Sequence, residues 1–131
     1  MKAIGAGLLA ALFVWAGCAS SFDYRRQEQF AERAHQYGKL IRWSEFELAR
    51  SYLSNDAQGR RAPLPKEVRV VDYEVKQLIV AEDARKAGQT VEITYFKERD
   101  PRVRTLTDTQ QWEFDPERSD WFLKNGFPDF N

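Results

Sequence analysis

Cys18 is the side chain with the most specific chemistry in this sequence. It is the only cysteine among 131 residues, and Ala16 and Gly17 stand directly before it. Small residues there let a peptidase bind the chain extended, and the thiol is the atom that accepts a diacylglyceryl group. A lone cysteine also excludes an internal disulfide. His35 is the only histidine, so a structural zinc site would have only carboxylates left as ligands. The sequence therefore predicts no metal and no cofactor.

His35 is the first residue to consider for acid–base chemistry. It follows Ala34 at the margin of a polar helix face, where an exposed or rim position is expected, and no serine or cysteine partner stands nearby in sequence to build a triad. The other candidates are Asp72, Tyr73, Tyr95 and Asp108. A carboxylate acting as a base must be partly desolvated and needs a donor nearby to stabilise an oxyanion. Tyr73 and Tyr95 share the apolar phase of their strands, whereas Asp72 falls on the opposite face from Tyr73. Asp108 shares a strand face with Leu106 and Trp112, so it is the one carboxylate that the pattern buries. No catalytic residue is assigned, because a solvated or turn-adjacent aspartate is the plainer reading.

Aromatic residues make up 14% of the chain, with the densest group at Trp43, Trp112, Phe114, Trp121 and Phe122. Such a group is either core or the wall of a site for an apolar ligand. The residues expected to line such a pocket are Trp43, Tyr73, Tyr95, Trp112 and Trp121. Lys97, Arg99, Arg102 and Arg104 flank Asp100-Pro101, and Arg60, Arg61 and Lys66 lie in an earlier loop. They are solubilising tips or a cationic surface for anionic lipid or glycan phosphate, with Glu98 and Asp100 diluting the first cluster. With 20 basic and 20 acidic side chains, the balance excludes a general nucleic-acid binder.

The chain has room for one domain with one modest core. Met1-Lys2 supplies a small positive start, and Ala3–Trp15 is uncharged and apolar. That run is shorter than the roughly 20 residues a membrane span requires, and its length suits the apolar region of a signal peptide. Its end resembles the lipobox of bacterial lipoproteins, usually Leu-Ala-Gly-Cys, with Trp15 where leucine is usual. The resemblance implies a signal peptide over 1–17 and lipidation of Cys18; the alternative is an ordinary signal peptide cut after Ala16 or Ala19. Each buried methylene contributes about 0.8 kcal/mol, so two acyl chains already anchor stably. Ala19 stands where aspartate would retain such a protein at the inner membrane, which implies the outer membrane, facing the periplasm. Residues 18–21 leave only a short tether before a domain over 22–131.

Within that domain Phe30, Ala34, Tyr37 and Ile41 recur at helical spacing and predict a helix over 22–41. Ser44-Glu45-Phe46-Glu47 has the spacing of a capping box and predicts a second helix, with Phe46, Ala49 and Leu53 on its apolar stripe and Asn55, Asp56 and Gly59 as its stop. Residues 55–66, with Pro63 and Pro65, read as a loop. The period then changes to two. Val71, Tyr73, Val75 and Ile79 alternate with charged residues in a strand over 67–82. Lys86–Gln89 reads as a hairpin turn, Val91, Ile93 and Tyr95 as the next strand, and Asp100-Pro101 as a further turn. A third strand runs over 102–114, and Trp121-Phe122-Leu123 forms a short last one.

Helices followed by an antiparallel meander give an α+β fold. The order and lengths over 22–128 resemble the NTF2-like (cystatin-like) cone, in which a long helix lies in the hollow of a curved sheet. Ile41-Arg42-Trp43, Gln111-Trp112 and Trp121-Phe122-Leu123 are similar to a group of small NTF2-like lipoproteins. Some enzymes of that superfamily, the ketosteroid isomerases and scytalone dehydratases, place Asp, Tyr or His inside the cone. The resemblance implies a non-catalytic binding or assembly module anchored through the Cys18 lipid. The next reading is a periplasmic carrier of a small apolar or lipid ligand, and the third an isomerase or dehydratase. Family members often dimerise through the outer face of the sheet, where Val103, Thr105, Thr107 and Thr109 would lie.

Overall fold

The computed structural model describes residues 17–59 and 64–131, with side chains from Asp23 onward. Residues 1–16 of the expected signal peptide, the Cys18 side chain, and Arg60, Arg61 and Pro63 lie outside the described residues.

Helix α1 (Gly17–Arg42) begins before the expected Phe22 and takes in Ser20 and Ser21, expected as a tether. Its buried stripe is the one the spacing predicts: Phe30, Ala34, Tyr37 and Ile41 are all enclosed. Burying each large side chain contributes about 1.5–3 kcal/mol. Lys39 and Arg42 lie in the last turn, where positive charge complements the carbonyl end of the helix dipole.

Ser44 does not cap a second helix; it closes the first. Its φ is +59°, its N–H bonds Ile41 O at 2.9 Å, and the Glu45 N–H bonds Leu40 O at 2.8 Å. This pair of reversed bonds satisfies the last carbonyls of α1. The Ser44 hydroxyl accepts the N–H of Val70 at 3.0 Å, so it is spent on the sheet. The capping expectation is thus corrected, and the helix expected there is broken into pieces: α2 (Phe46–Ala49), one 3-10 turn (Arg50–Tyr52) and α3 (Asn55–Gly59). Asn55 and Asp56 start a helix where the sequence suggested a stop. The serine that caps is Ser54, whose hydroxyl accepts the Ala57 N–H at 3.2 Å.

Strands β1 (Val68–Val80), β2 (Lys86–Lys97), β3 (Asp100–Asp115) and β4 (Asp120–Leu123) form one antiparallel sheet in that order. The fold is α+β, with the N-terminal helix packed on an open four-stranded sheet. On β2 the alternation is regular: Ala87, Gln89, Val91, Ile93 and Tyr95 are buried against the helices. On β1 it is broken by register shifts between Val70 and Asp72 and between Val75 and Gln77. Each extra residue turns the following side chains to the other face. Val68, Val70, Tyr73, Val75 and Leu78 therefore pair with the helix-facing positions of β2, while Val71 and Ile79, expected on the half-buried face, are exposed.

Two turns also differ from expectation. The β1–β2 reversal lies over 81–85, with Ala84 at φ +50° and its N–H on Ala81 O; Lys86–Gln89 opens β2 instead. Asp100 and Pro101 are the first residues of β3, and Glu98-Arg99 makes the reversal, with Lys97 paired to Asp100.

Candidate functional site

β2 and β3 run side by side with Gln89 opposite Gln110 and Val91 opposite Asp108. Alternation then places Asp108, Gln110 and Trp112 on the helix-facing side of β3. The result is a polar cluster inside an otherwise apolar interior. The indole N–H of Trp112 and the Gln89 amide both donate to Gln110 Oε1, at 3.0 and 3.2 Å. Because an indole nitrogen only donates, this orients the Gln110 amide. Its Nε2 then donates to Tyr73 Oη at 2.9 Å and to Asp108 Oδ2 at 3.0 Å. All four bonding positions of one buried amide are used.

Burial pushes the Asp108 carboxyl up to about 6, against the stabilising bond from Gln110. Burial likewise raises the Tyr73 phenol to about 12; bonds from Gln110 and Gln89 oppose the rise, and the Asp108 charge adds to it. Tyr37 reaches the same cluster from α1. Its hydroxyl is fully buried and has no hydrogen-bond partner among the described residues, and burial, then Asp108, holds its proton well above the usual phenol range.

Beside this cluster a cleft of about 360 Å³ opens between α1 and β1. Ala31, Ala34, Val75 and Leu78 make apolar walls, the Tyr73 ring and Gln89 reach its floor, and His35, Lys39 and Arg42 stand on the helix side. Gly38 is what lets the tyrosine ring lie against α1, since a Cβ there would come within 2.7 Å of Tyr73 Cε1. Arg42 is anchored, donating to Val70 O at 3.1 Å. Among the described residues no carboxylate lies in ion-pair range of Lys39 or His35.

Of the five aromatics expected to line a pocket, Tyr73 lines this cleft. Trp112 and Trp121 are enclosed around Phe30, with ring centroids 5.9 and 5.0 Å from it. Tyr95 is covered by Phe130 at 4.9 Å and donates to the Asn131 carbonyl. Trp43 is 68% exposed, because α1 has already ended and the ring turns out beneath the Arg42 guanidinium, 4.8 Å away. His35 is exposed, and Asp72 lies on the outer side of β1. Gln89 and Gln110 went unnoticed in the sequence; their signal was a polar side chain in the buried phase beside Val91 and Trp112.

Of the four basic residues expected to flank the β2–β3 turn, Arg99, Arg102 and Arg104 are paired, whereas Lys97 has no carboxylate in ion-pair range among the described residues. Arg99 meets Glu67 at 3.2 Å, Arg69 meets Glu98 at 3.1 Å, and Arg102 and Arg104 share Asp100. Bonds from Arg102, foremost, hold the Asp100 carboxyl well below the usual range. Among the described residues no group of His, Cys, Asp and Glu is placed to hold a metal, and no helix is long and apolar enough to cross a membrane. No protein-family model matches the chain, and a comparison with characterised proteins gives no match.

Proposed function

We propose that this chain is a lipid-anchored domain of the bacterial envelope, tethered through Cys18 and of NTF2-like architecture. It acts without catalysis as a binding module whose α1–β1 cleft takes a small apolar ligand bearing one hydrogen-bonding group. The observation that carries the ligand reading is the cleft itself, with apolar walls, a buried amide on the floor and a volume within the usual range for small-ligand sites. The anchor and the outer-membrane address rest on the sequence around Cys18, and the NTF2-like reading on a long helix packed against an antiparallel meander.

A neutral fluorescent probe, N-phenyl-1-naphthylamine, tests the cleft. Leu78→Glu, at a half-exposed wall position, is expected to weaken probe binding at least tenfold with an unchanged melting midpoint, whereas Val103→Glu on the outer face retains it. Equal binding by both variants removes the cleft reading. The anchor is tested separately by labelling cells with alkyne palmitate: the wild type is marked, and Cys18→Ala is unlabelled and released in soluble form.

One observation favours a second reading, acid–base chemistry of the isomerase or dehydratase kind: Asp108, raised toward neutrality, shares Gln110 with Tyr73. Asp108 does not line the cleft, so the binding reading ranks first.

A further inference from the structure

β1 is a long edge strand, paired among the described strands with β2 alone. The backbone of Val70 is already engaged, its N–H by Ser44 and its carbonyl by Arg42. Beyond it the strand runs on to Val80, and four of its large apolar side chains, Val71, Val75, Leu78 and Ile79, are exposed, the last at 61%. An open edge with apolar side chains is a template for another strand. What that strand should be is written in the residues themselves.

We propose that two copies of the chain pair antiparallel through β1, with Glu74 at the two-fold axis. Counting outward from Glu74, Tyr73 of one copy faces Val75 of the other and Asp72 faces Lys76, and the pairing stops short of Val70, whose outward backbone groups Ser44 and Arg42 hold. Opposite charges thus meet twice and apolar residues twice, as favourable cross-strand pairing requires. The two register shifts, between Val70 and Asp72 and between Val75 and Gln77, fall on either side of the same centre, so the irregular segments of the two copies lie opposite each other. The one like-charge contact, Glu74 against itself, is offset within each copy by Lys76, whose Nζ lies 3.0 Å from Glu74 and 3.7 Å from Glu92. A two-fold axis normal to the sheet sets both α1 helices on the same face of the joined sheet and closes the open flank of each cleft at Val75. This contact is distinct from the outer face at Thr105 and Thr107, and it does not depend on what the cleft binds.

The test uses the full chain in cell envelopes. In an antiparallel pair centred on Glu74, Glu74→Cys brings two Cα atoms within disulfide range. Non-reducing gels are expected to show a dimer for Glu74→Cys beyond the wild-type background, and none for Thr107→Cys. Adding Asp72→Lys should lower the crosslinked fraction at least tenfold, and the double exchange Asp72→Lys with Lys76→Asp should restore it. Restoration by the exchange supports the register, because a variant that merely misfolds is not rescued by a second charge reversal. Monomer from Glu74→Cys, dimer from Thr107→Cys, or a dimer indifferent to the charge reversals each overturns the proposal.

Discussion

The helix-facing side of the sheet has two halves that solve the same packing problem in opposite ways. Over β3 and β4, α1 is sealed: Phe30 meets Trp112 and Trp121, Tyr37 lies edge-on to Trp112 at 5.4 Å, and Arg33 straps the end by donating to Trp121 O at 3.1 Å. Over β1 and β2 the helix presents small residues, Ala31, Ala34 and Gly38, and these leave the cleft open. The polar cluster lies at the border, and Gln110 belongs to both halves, holding Trp112 with its oxygen and Tyr73 with its nitrogen. Side-chain size on one helix therefore decides where the domain is core and where it is site.

The largest effect is expected from Trp112→Ala. Removing a fully buried tryptophan costs about 3–5 kcal/mol, a large part of the roughly 5–15 kcal/mol that holds a domain of this size. It also strips a donor from Gln110. Chemical denaturation followed by far-UV dichroism should show a sharply lowered midpoint. A variant that stays equally stable yet stops binding the apolar probe would move Trp112 from the sealed half to the open one.

Asp108→Asn comes next and works through pH. The folded carboxyl ionises near 6 and an unfolded aspartate near about 3.9. Between these values the folded chain keeps a proton that the unfolded chain has released, so stability falls as pH rises from about 4 to about 6 and levels off above. Asp108→Asn should abolish that slope and stabilise the chain at pH 7 by as much as about 2–3 kcal/mol. An unchanged slope would mean that Asp108 is solvated and the border between the halves is wet.

Much of the core was legible in the sequence. The 4-3-4 spacing of α1 and the alternation of Val91, Ile93 and Tyr95 record burial directly, and the last strand was found at Trp121–Leu123. The open half was harder for three physical reasons. Register shifts in β1 broke a period that reading assumes to be constant, which misplaced Val71 and Ile79. Left-handed backbone fell on Ser44 and Ala84 where glycine signals such turns, so Gly88 drew the hairpin away from its true place. The site is organised by glutamines, which carry no titratable group to attract notice, whereas Asp108 was found because its strand phase matched Trp112.

Gly38→Ala should have a smaller effect on stability than on binding. The added methyl meets the Tyr73 ring, and overpacking of that kind costs about 1–3 kcal/mol, offset by about 1 kcal/mol of helix propensity. The ring is expected to swing into the cleft, so probe affinity should drop several-fold while the midpoint moves little. A loss of stability without loss of affinity would place the strain in the sealed half.

The smallest effects compare the two serines that tie the helical pieces to the sheet, one on each side of the border. Ser54, beside β4, spends its hydroxyl locally on the Ala57 N–H while its own N–H bonds Leu123 O. Ser54→Ala should therefore cost about 1 kcal/mol, as a lost helix cap does. Ser44, beside β1, combines an unfavourable φ with a long-range bond to Val70. Ser44→Ala keeps the backbone strain and leaves the Val70 N–H without its acceptor, again costing about 1 kcal/mol. Ser44→Gly loses the same bond but relieves the left-handed backbone, so its net cost should be smaller than that of alanine. Amide exchange tells the two serines apart: Ser44→Ala should release protection at Val70 and leave Ala57 unchanged, and Ser54→Ala should do the reverse. If Ser44→Ala instead exposed the amides of Phe46 and Glu47, Ser44 would cap a helix after all, and its hydroxyl would not tie the end of α1 to the edge strand.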